Sequence, residues 1–292
     1  MKVFLYARYV KKEYIPFLKT VLASVERYGW SVYVSENIGQ YVTKYIKDHT
    51  VEEISSYEVL KSADVDMAFT FGGDGTILGA TCIIRDLGIP IMGINLGRLG
   101  FLAGVERKMI EESMDKIATG QYRIEDRSML HLESDPPIFD TLSFALNDFT
   151  IHKRDTSSMV NIHTYINGDY LNSYWADGLI VATPTGSTGY SLSCGGPIVF
   201  PGSGNMVITP VAPHNLNVRP LVISDSAVIS FAIEGRAKHF LCTLDSRYET
   251  ITSKHQLAVR KCDFNTRLVI LNGQSFLHTI HEKLSWGADR RN

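Results

Sequence analysis

Apolar and polar positions change their period along this chain. Val3 to Ala7 is a short apolar run, followed by Ile15, Leu18, Leu22 and Val25 on one helical face with Pro16 in its first turn. Trp30 to Val34 alternates as a strand, Gln40 to Lys47 has helical spacing, and Met67 to Phe71 reads as a buried strand. Glycines come directly after it. Thr76 to Leu87 then predicts a helix, Ile89 to Asn95 a strand, and Met109, Ile110, Met114 and Ile117 an amphipathic helix over Arg107 to Ala118. This β-α-β-α order predicts a mainly parallel sheet covered on both faces.

From about Tyr122 onward, β-rich runs separated by turn residues replace the helical period. Met159 to Ile166 and Tyr170 to Tyr174 flank Asn167-Gly168, a dipeptide suited to a tight hairpin. Further strands are predicted over Gly178 to Thr183, Met206 to Pro210, Ala227 to Ile233, Phe240 to Leu244 and Leu268 to Leu271. The fold class is therefore α/β: an N-terminal parallel-sheet α/β domain followed by a β-rich domain. The change in composition puts the junction near residues 120 to 127; the first domain is expected over residues 1–124, joined by the C-terminal segment 273–292, and the β-rich domain over residues 125–272.

The 292 residues are 45% hydrophobic and 21% charged, which suits self-contained globular domains rather than a disordered chain. With 29 Lys and Arg against 31 Asp and Glu, the net charge of −2 supplies no field to neutralise nucleic-acid phosphates, so no such partner is expected. Cys82, Cys194, Cys242 and Cys262 are too far apart for a Cys-x-x-Cys pair. The first apolar run stops at Arg8, short of a signal-peptide core, which makes the cytoplasm the expected compartment. The uncharged stretch Gly178 to Val218 carries seven Gly and five Pro, so no membrane span is expected there.

Candidate chemistry begins at Phe71-Gly72-Gly73-Asp74-Gly75-Thr76, between a predicted buried strand and a helix, where α/β proteins bind ligands. Glycines let the backbone approach a phosphate, and the helix start offers N–H groups to it. An acid repels that same ligand. Asp74 is easier to understand as a proton acceptor or a metal partner, with a helix cap as the alternative. The chain lacks a P-loop and a Gly-x-Ser-x-Gly motif, and its Gly73, Gly75 and Gly79 miss the dinucleotide spacing by one residue. Asn95 to Leu102 follows the next strand and should emerge on the same sheet edge; its Arg98 either pairs with a phosphate or is a solvated loop residue.

Asn147-Asp148 suits reading a base edge and ribose hydroxyls, or else an Asx turn. Asp177 to Pro197 alternates glycines and hydroxyls with almost no charge, as where neutral donors surround a ligand. His214 lies in a loop framed by Pro210 and Pro213 and is either a ligand contact or a structural histidine. His278 and His281 lack zincin spacing, and no protein-held transition metal is expected.

In their order, these motifs resemble the NAD kinase family. Gly-Gly-Asp-Gly alone is shared with diacylglycerol, sphingosine and phosphofructokinases, whereas Asp177-Gly178-Leu179-Ile180-Val181 through Gly195-Gly196-Pro197 is far more specific. The likeness runs from about residue 67 to 221. It implies ATP-dependent phosphorylation of the 2′-hydroxyl on the adenosine ribose of NAD, giving NADP. Asp74 would activate that hydroxyl, Gly73 and Gly75 would line the phosphate path, and Gly72, Thr76 and Arg98 would serve the phosphates. Asn147 and Asp148 would contact the adenosine, while Asp177, Thr188, Tyr190, Ser191 and His214 would shape the dinucleotide site. The resemblance also implies Mg²⁺ delivered with ATP and a homo-oligomer, commonly a tetramer. Competing readings are a lipid or sugar kinase with the same loop, and a non-catalytic NAD(H) or NADP(H) sensor. Three positions depart from the family pattern: Asp148 where Glu is usual, Cys194 where Ala is usual, and Asp245-Ser246-Arg247 where Asp-Gly is common.

Overall fold

The computed structural model describes residues 1–46, 51–97, 99–154 and 158–287. The chain forms two compact units, Met1–Asp126 with Thr266–Asn292, and Arg127–Asn265. Its first unit holds β1 (Lys2–Tyr6), α1 (Ile15–Arg27), β2 (Ser31–Ser35), α2 (Glu36–Tyr45), β3 (Glu52–Ile54) and α3 (Tyr57–Ala63). There follow β4 (Met67–Phe71), α4 (Asp74–Ile84), β5 (Ile91–Asn95), β6 (Val105–Glu106), α5 (Ile110–Ala118) and β7 (Tyr122–Arg127).

The second unit runs through β8 (Leu130–Asp135), β9 (Phe144–Ala145), β10 (Asp148–Lys153), β11 (Val160–Ile166), β12 (Asp169–Ala176) and β13 (Gly178–Ala182). After α6 (Tyr190–Ser193) come β14 (Asn205–Val211), β15 (Leu221–Ser224), β16 (Ile229–Glu234), β17 (Phe240–Leu244), β18 (Arg247–Ile251) and β19 (Gln256–Lys261). The chain then returns to the first unit with β20 (Thr266–Leu271) and α7 (Phe276–Leu284).

In the first unit the strands take the order β3-β2-β1-β4-β5-β20-β7, and β1 to β5 pair in parallel. Side chains alternate across this sheet as the pleat requires. Val3, Leu5, Met67, Phe69, Met92 and Ile94 enter a core with the apolar stripes of α1, α2 and α5. Phe4, Ala68 and Ile91, on the other face, are also buried, and Ile77 of α4 packs against Gly93 there. Both faces are thus covered, which is why these strands read as continuous apolar runs.

Leu268 to Leu271 requires a correction. This segment is a strand, but it pairs in parallel with β5 through Leu268↔Ile91 and belongs to the first unit, so the β-rich unit ends at 265 rather than 272. An apolar run has no feature that says which sheet will receive it.

In the second unit, two antiparallel sheets, β15-β14-β13-β10-β17-β18 and β12-β11-β16-β19-β8-β9, share one core. Phe149 of β10 and Phe231 of β16 stack across it at 5.3 Å. The hairpin predicted at Asn167-Gly168 is present, with φ of 52° and 90° at the two turn residues. Among the described residues, no helix is long and apolar enough to cross a membrane.

Candidate active site

The carboxyl edge of the parallel sheet carries the candidate residues of the first unit. Gly72 ends β4 with φ 152°, and a Cβ there would fall 2.1 Å from the Thr76 hydroxyl, so only glycine suits it. Its N–H donates to the Ile94 carbonyl at 3.0 Å and ties the loop to β5. Gly73 is the N-terminal cap of α4 and has no side chain to offer. Nothing lies within 4 Å of where a Cβ would stand on Gly73 or Gly75. The first turn of α4, in which the Thr76 N–H already donates to the Gly73 carbonyl at 2.9 Å, opens at Gly73 and Gly75 onto free space suited to an anion. Thr76 is buried beneath Gly72.

Asp74 opens α4 but does not cap it. Its Oδ2 accepts from the N–H of Phe101 at 2.8 Å, and its Oδ1 from those of Leu102 and Ala103, both at 3.0 Å. The loops after β4 and β5 do emerge on one sheet edge, and the acid is what joins them. Gly100 permits the approach, because a Cβ there would lie 1.9 Å from Asp74 Oδ1. The C-terminal segment braces the same loop: Lys283 donates to the Leu99 carbonyl, and Gln274 Nε2 to that of Gly104 at 2.7 Å. Arg98 lies outside the described residues.

In the second unit, Asn147 and Asp148 stand where the chain enters β10. Among the described residues neither side chain closes an Asx turn. Asp148 is only 7% exposed and lies beside Asp245, whose N–H donates to its carbonyl at 2.9 Å. Burial, then the charge of Asp245, pushes the Asp148 carboxyl up to about 7. Burial raises Asp245 as well, but three backbone N–H groups and Arg247 oppose that rise.

This arrangement has a measurable consequence. A carboxyl whose folded value is raised from 3.8 to about 7 keeps its proton in the native state while the unfolded chain loses it, so stability falls as pH climbs through that window. Asp148→Asn has no such charge to bury. Its stability relative to wild type is expected to rise between pH 4 and pH 8, by on the order of 4 kcal/mol at most, with a matching rise in relative melting temperature. A difference in melting temperature that stays flat with pH, followed by calorimetry, rules this out.

Around Asp148 the neighbours are aromatic and ionic. Tyr190, 40% exposed, stacks on His152 at 5.6 Å and 26°. Burial lowers the His152 imidazole below the ordinary histidine value, against the pull of Asp177, so the ring is neutral near pH 7. Asp177 pairs with Lys153 at 2.5 Å. His214 is exposed, donates its backbone N–H to the Trp175 carbonyl at 2.9 Å, and places its ring 4.4 Å from that of Trp175. His152, Lys153 and Trp175 escaped sequence reasoning, since no motif marks them and the strand 148–153 has no clear alternation.

The hydroxyls between 183 and 193 have partners within the protein. Thr183 Oγ1 donates to the Leu146 carbonyl at 2.6 Å and accepts from Gly186 N–H at 3.0 Å. Ser187 Oγ donates to the Pro184 carbonyl at 2.6 Å, and Thr188 Oγ1 to that of Thr185 at 3.0 Å. Ser191 is fully buried with its hydroxyl 2.8 Å from that of Thr209. Much of the hydroxyl density thus satisfies the main chain of a buried loop, a need that precedes any ligand.

An acid oriented by amides, beside an open helix start, can hold phosphates and take a proton; among the described residues no cluster of three metal-ligating side chains accompanies it. Those are the parts of a kinase, a phosphotransferase that works without a P-loop. Two family models match the chain, the ATP-NAD kinase N-terminal domain over residues 4–122 and the ATP-NAD kinase C-terminal domain over residues 146–271. The chain belongs to the ATP-NAD kinase family. An NAD kinase of Cytophaga hutchinsonii is 53% identical over 227 residues, 78% of each chain, and one of Flavobacterium johnsoniae is 41% identical over 295 residues, spanning all of both. The crystal structure of yeast NADH kinase complexed with NADH has a similar fold, with a TM-score of 0.84 at 22% identity, covering 100% of this chain and 89% of that one. An NAD kinase from Archaeoglobus fulgidus in complex with ATP gives 0.76 at 22% identity, covering 98% and 99%.

Proposed function

We propose that this protein transfers the γ-phosphoryl group of ATP to the 2′-hydroxyl of the adenosine ribose of NAD, giving NADP and ADP. The observation that carries the reading is the Asp74 carboxylate, fixed by three amides at the mouth of a glycine-lined helix start. Asp74 takes the proton of the hydroxyl as the new O–P bond forms and the bond between the β- and γ-phosphates breaks. Gly73 and Gly75 leave room for the phosphates, and the backbone of the α4 start offsets their charge. Mg²⁺ arrives as part of the ATP complex and belongs to the substrate.

Asn147 and Asp148 contact the adenosine. A protonated Asp148 would donate a hydrogen bond there rather than merely accept one. The outer face of Tyr190, backed by neutral His152, offers a flat surface for a base, with Asp177 and His214 as further dinucleotide contacts. The protein works as a homo-oligomer, most simply a tetramer; Leu221 and Val222, exposed on the edge strand β15, supply apolar surface for assembly. All four cysteines are thiols, as suits the reducing cytoplasm.

The test is a coupled assay on purified protein with Mg²⁺, reading NADP formed from NAD with ATP and then polyphosphate as donor, and with NADH, a sugar phosphate or diacylglycerol as acceptor. NADP formation from NAD and ATP is the expected result. Tight NAD binding without phosphorylation would replace it with the sensor reading, and phosphorylation of a sugar phosphate or lipid alone with the other kinase readings.

A further inference from the structure

The reaction outlined above gives Asp245-Ser246-Arg247 no part. The hairpin register Leu244↔Arg247 leaves Asp245 and Ser246 as the turn between β17 and β18, with Asp245 at φ 53°. Asp is one of the few residues that accept such a backbone, because its short side chain bonds locally. Next to it, Leu244 pairs with Phe149 of β10, so the turn lies beside the entry to that strand.

Three successive amides converge on the turn. The N–H of Leu146 donates to Asp245 Oδ2 at 3.0 Å, and those of Asn147 and Asp148 donate to Oδ1 at 2.8 and 3.2 Å. Asp245 returns its own N–H to the Asp148 carbonyl at 2.9 Å. Two residues on, the Arg247 guanidinium donates to the carbonyls of Leu142 and Phe144 and lies 5.9 and 5.5 Å from the ring centres of Phe139 and Phe144. Segment 142–148 is held by its carbonyls at one end and by its amides at the other.

We propose that Asp245 and Arg247 form a main-chain clamp that positions Asn147 and Asp148 for the dinucleotide, which makes both of them positioning residues of the reaction. The proposal rests on the reading that Asn147 and Asp148 contact the adenosine. Its physical basis is the match of charge type at each end: a row of N–H groups needs an acceptor-only group, and a pair of carbonyls needs a donor-only group. Asp148 makes the clamp matter more. With only two side-chain torsions, its carboxyl has few rotamers with which to correct a displaced backbone.

The experiment compares wild type with Asp245→Asn, Arg247→Ala and Arg247→Lys by steady-state kinetics and by hydrogen exchange of the peptide spanning residues 144–149. An amide side chain at 245 would turn an NH₂ toward one of the three donors. KM for NAD is therefore expected to rise about 10-fold in Asp245→Asn and about 3-fold in Arg247→Ala, with kcat and KM for ATP within about 3-fold of wild type. Arg247→Lys should recover part of the loss, and exchange at residues 146–148 should quicken in both disruptive variants.

Folded variants with KM for NAD within about 2-fold of wild type, or with unchanged protection of these amides, overturn the clamp. If Asp245→Asn does not fold, Arg247→Ala and the wild-type exchange decide: amides of 146–148 that exchange like an exposed loop in the wild type also overturn it. A wild type that neither binds nor phosphorylates NAD overturns the NAD reading and the positioning claim together. A wild type that does both, beside variants of unchanged KM, overturns the clamp alone.

Discussion

Asp74→Asn is expected to lower kcat by about 10²-fold or more while leaving NAD affinity within a few-fold, the loss typical of a missing general base. The replacement has almost the same shape, so substrate space is kept, but an amide cannot take the proton of a ribose hydroxyl. It also disturbs the loop after β5. Three N–H groups, from Phe101, Leu102 and Ala103, point at the carboxylate, and an amide can offer its single oxygen to only part of that set. Leaving one buried donor unpaired costs about 1–3 kcal/mol, so a lower melting temperature should accompany the loss of turnover. Steady-state kinetics with isothermal titration of NAD separates the effects. Turnover near that of wild type removes Asp74 from the mechanism.

What could be read ahead of the structure followed from local patterns strong enough to survive tertiary context. Met67 to Phe71 is a strand to the residue, because an apolar run closed by Gly72-Gly73 has few other ways to fold. Asn167-Gly168 specifies its hairpin by the backbone region each residue tolerates. The start of α4 was harder to see: Thr76 looks like the first helical residue, yet the helix begins at Asp74, because glycine at 75 hides the period. Long-range pairing was invisible. Nothing in Leu268 to Leu271 announces a partner in β5, and nothing in Gly100 to Ala103 announces that its amides will hold an acid some 27 to 29 residues earlier. The partners of the hydroxyl-rich stretch were hidden for a related reason, since Ser187 and Ser191 find theirs only once the loop is buried.

Gly100→Ala should show how far the reaction depends on where the acid sits rather than on its presence. The strain would come from contact alone, because Gly100 is not among the glycines of positive φ. An added Cβ would stand 1.9 Å from Asp74 Oδ1 and 2.6 Å from its Cγ, far inside contact distance. Either the carboxylate swings off its three amides or the loop 99–103 backs away, and each route moves the acid by about an ångström. A shift of that size costs on the order of 10²-fold in turnover when reacting groups must be aligned. NAD affinity should change little, since Asn147, Asp148 and Tyr190 belong to the other unit. The double variant with Asp74→Asn settles whether Gly100 acts through the acid. If seating Asp74 is its whole contribution, adding Gly100→Ala to Asp74→Asn should lower kcat by less than about 3-fold further, because one interaction cannot be lost twice. Two full, additive losses would mean that the glycine serves the phosphates or the fold directly.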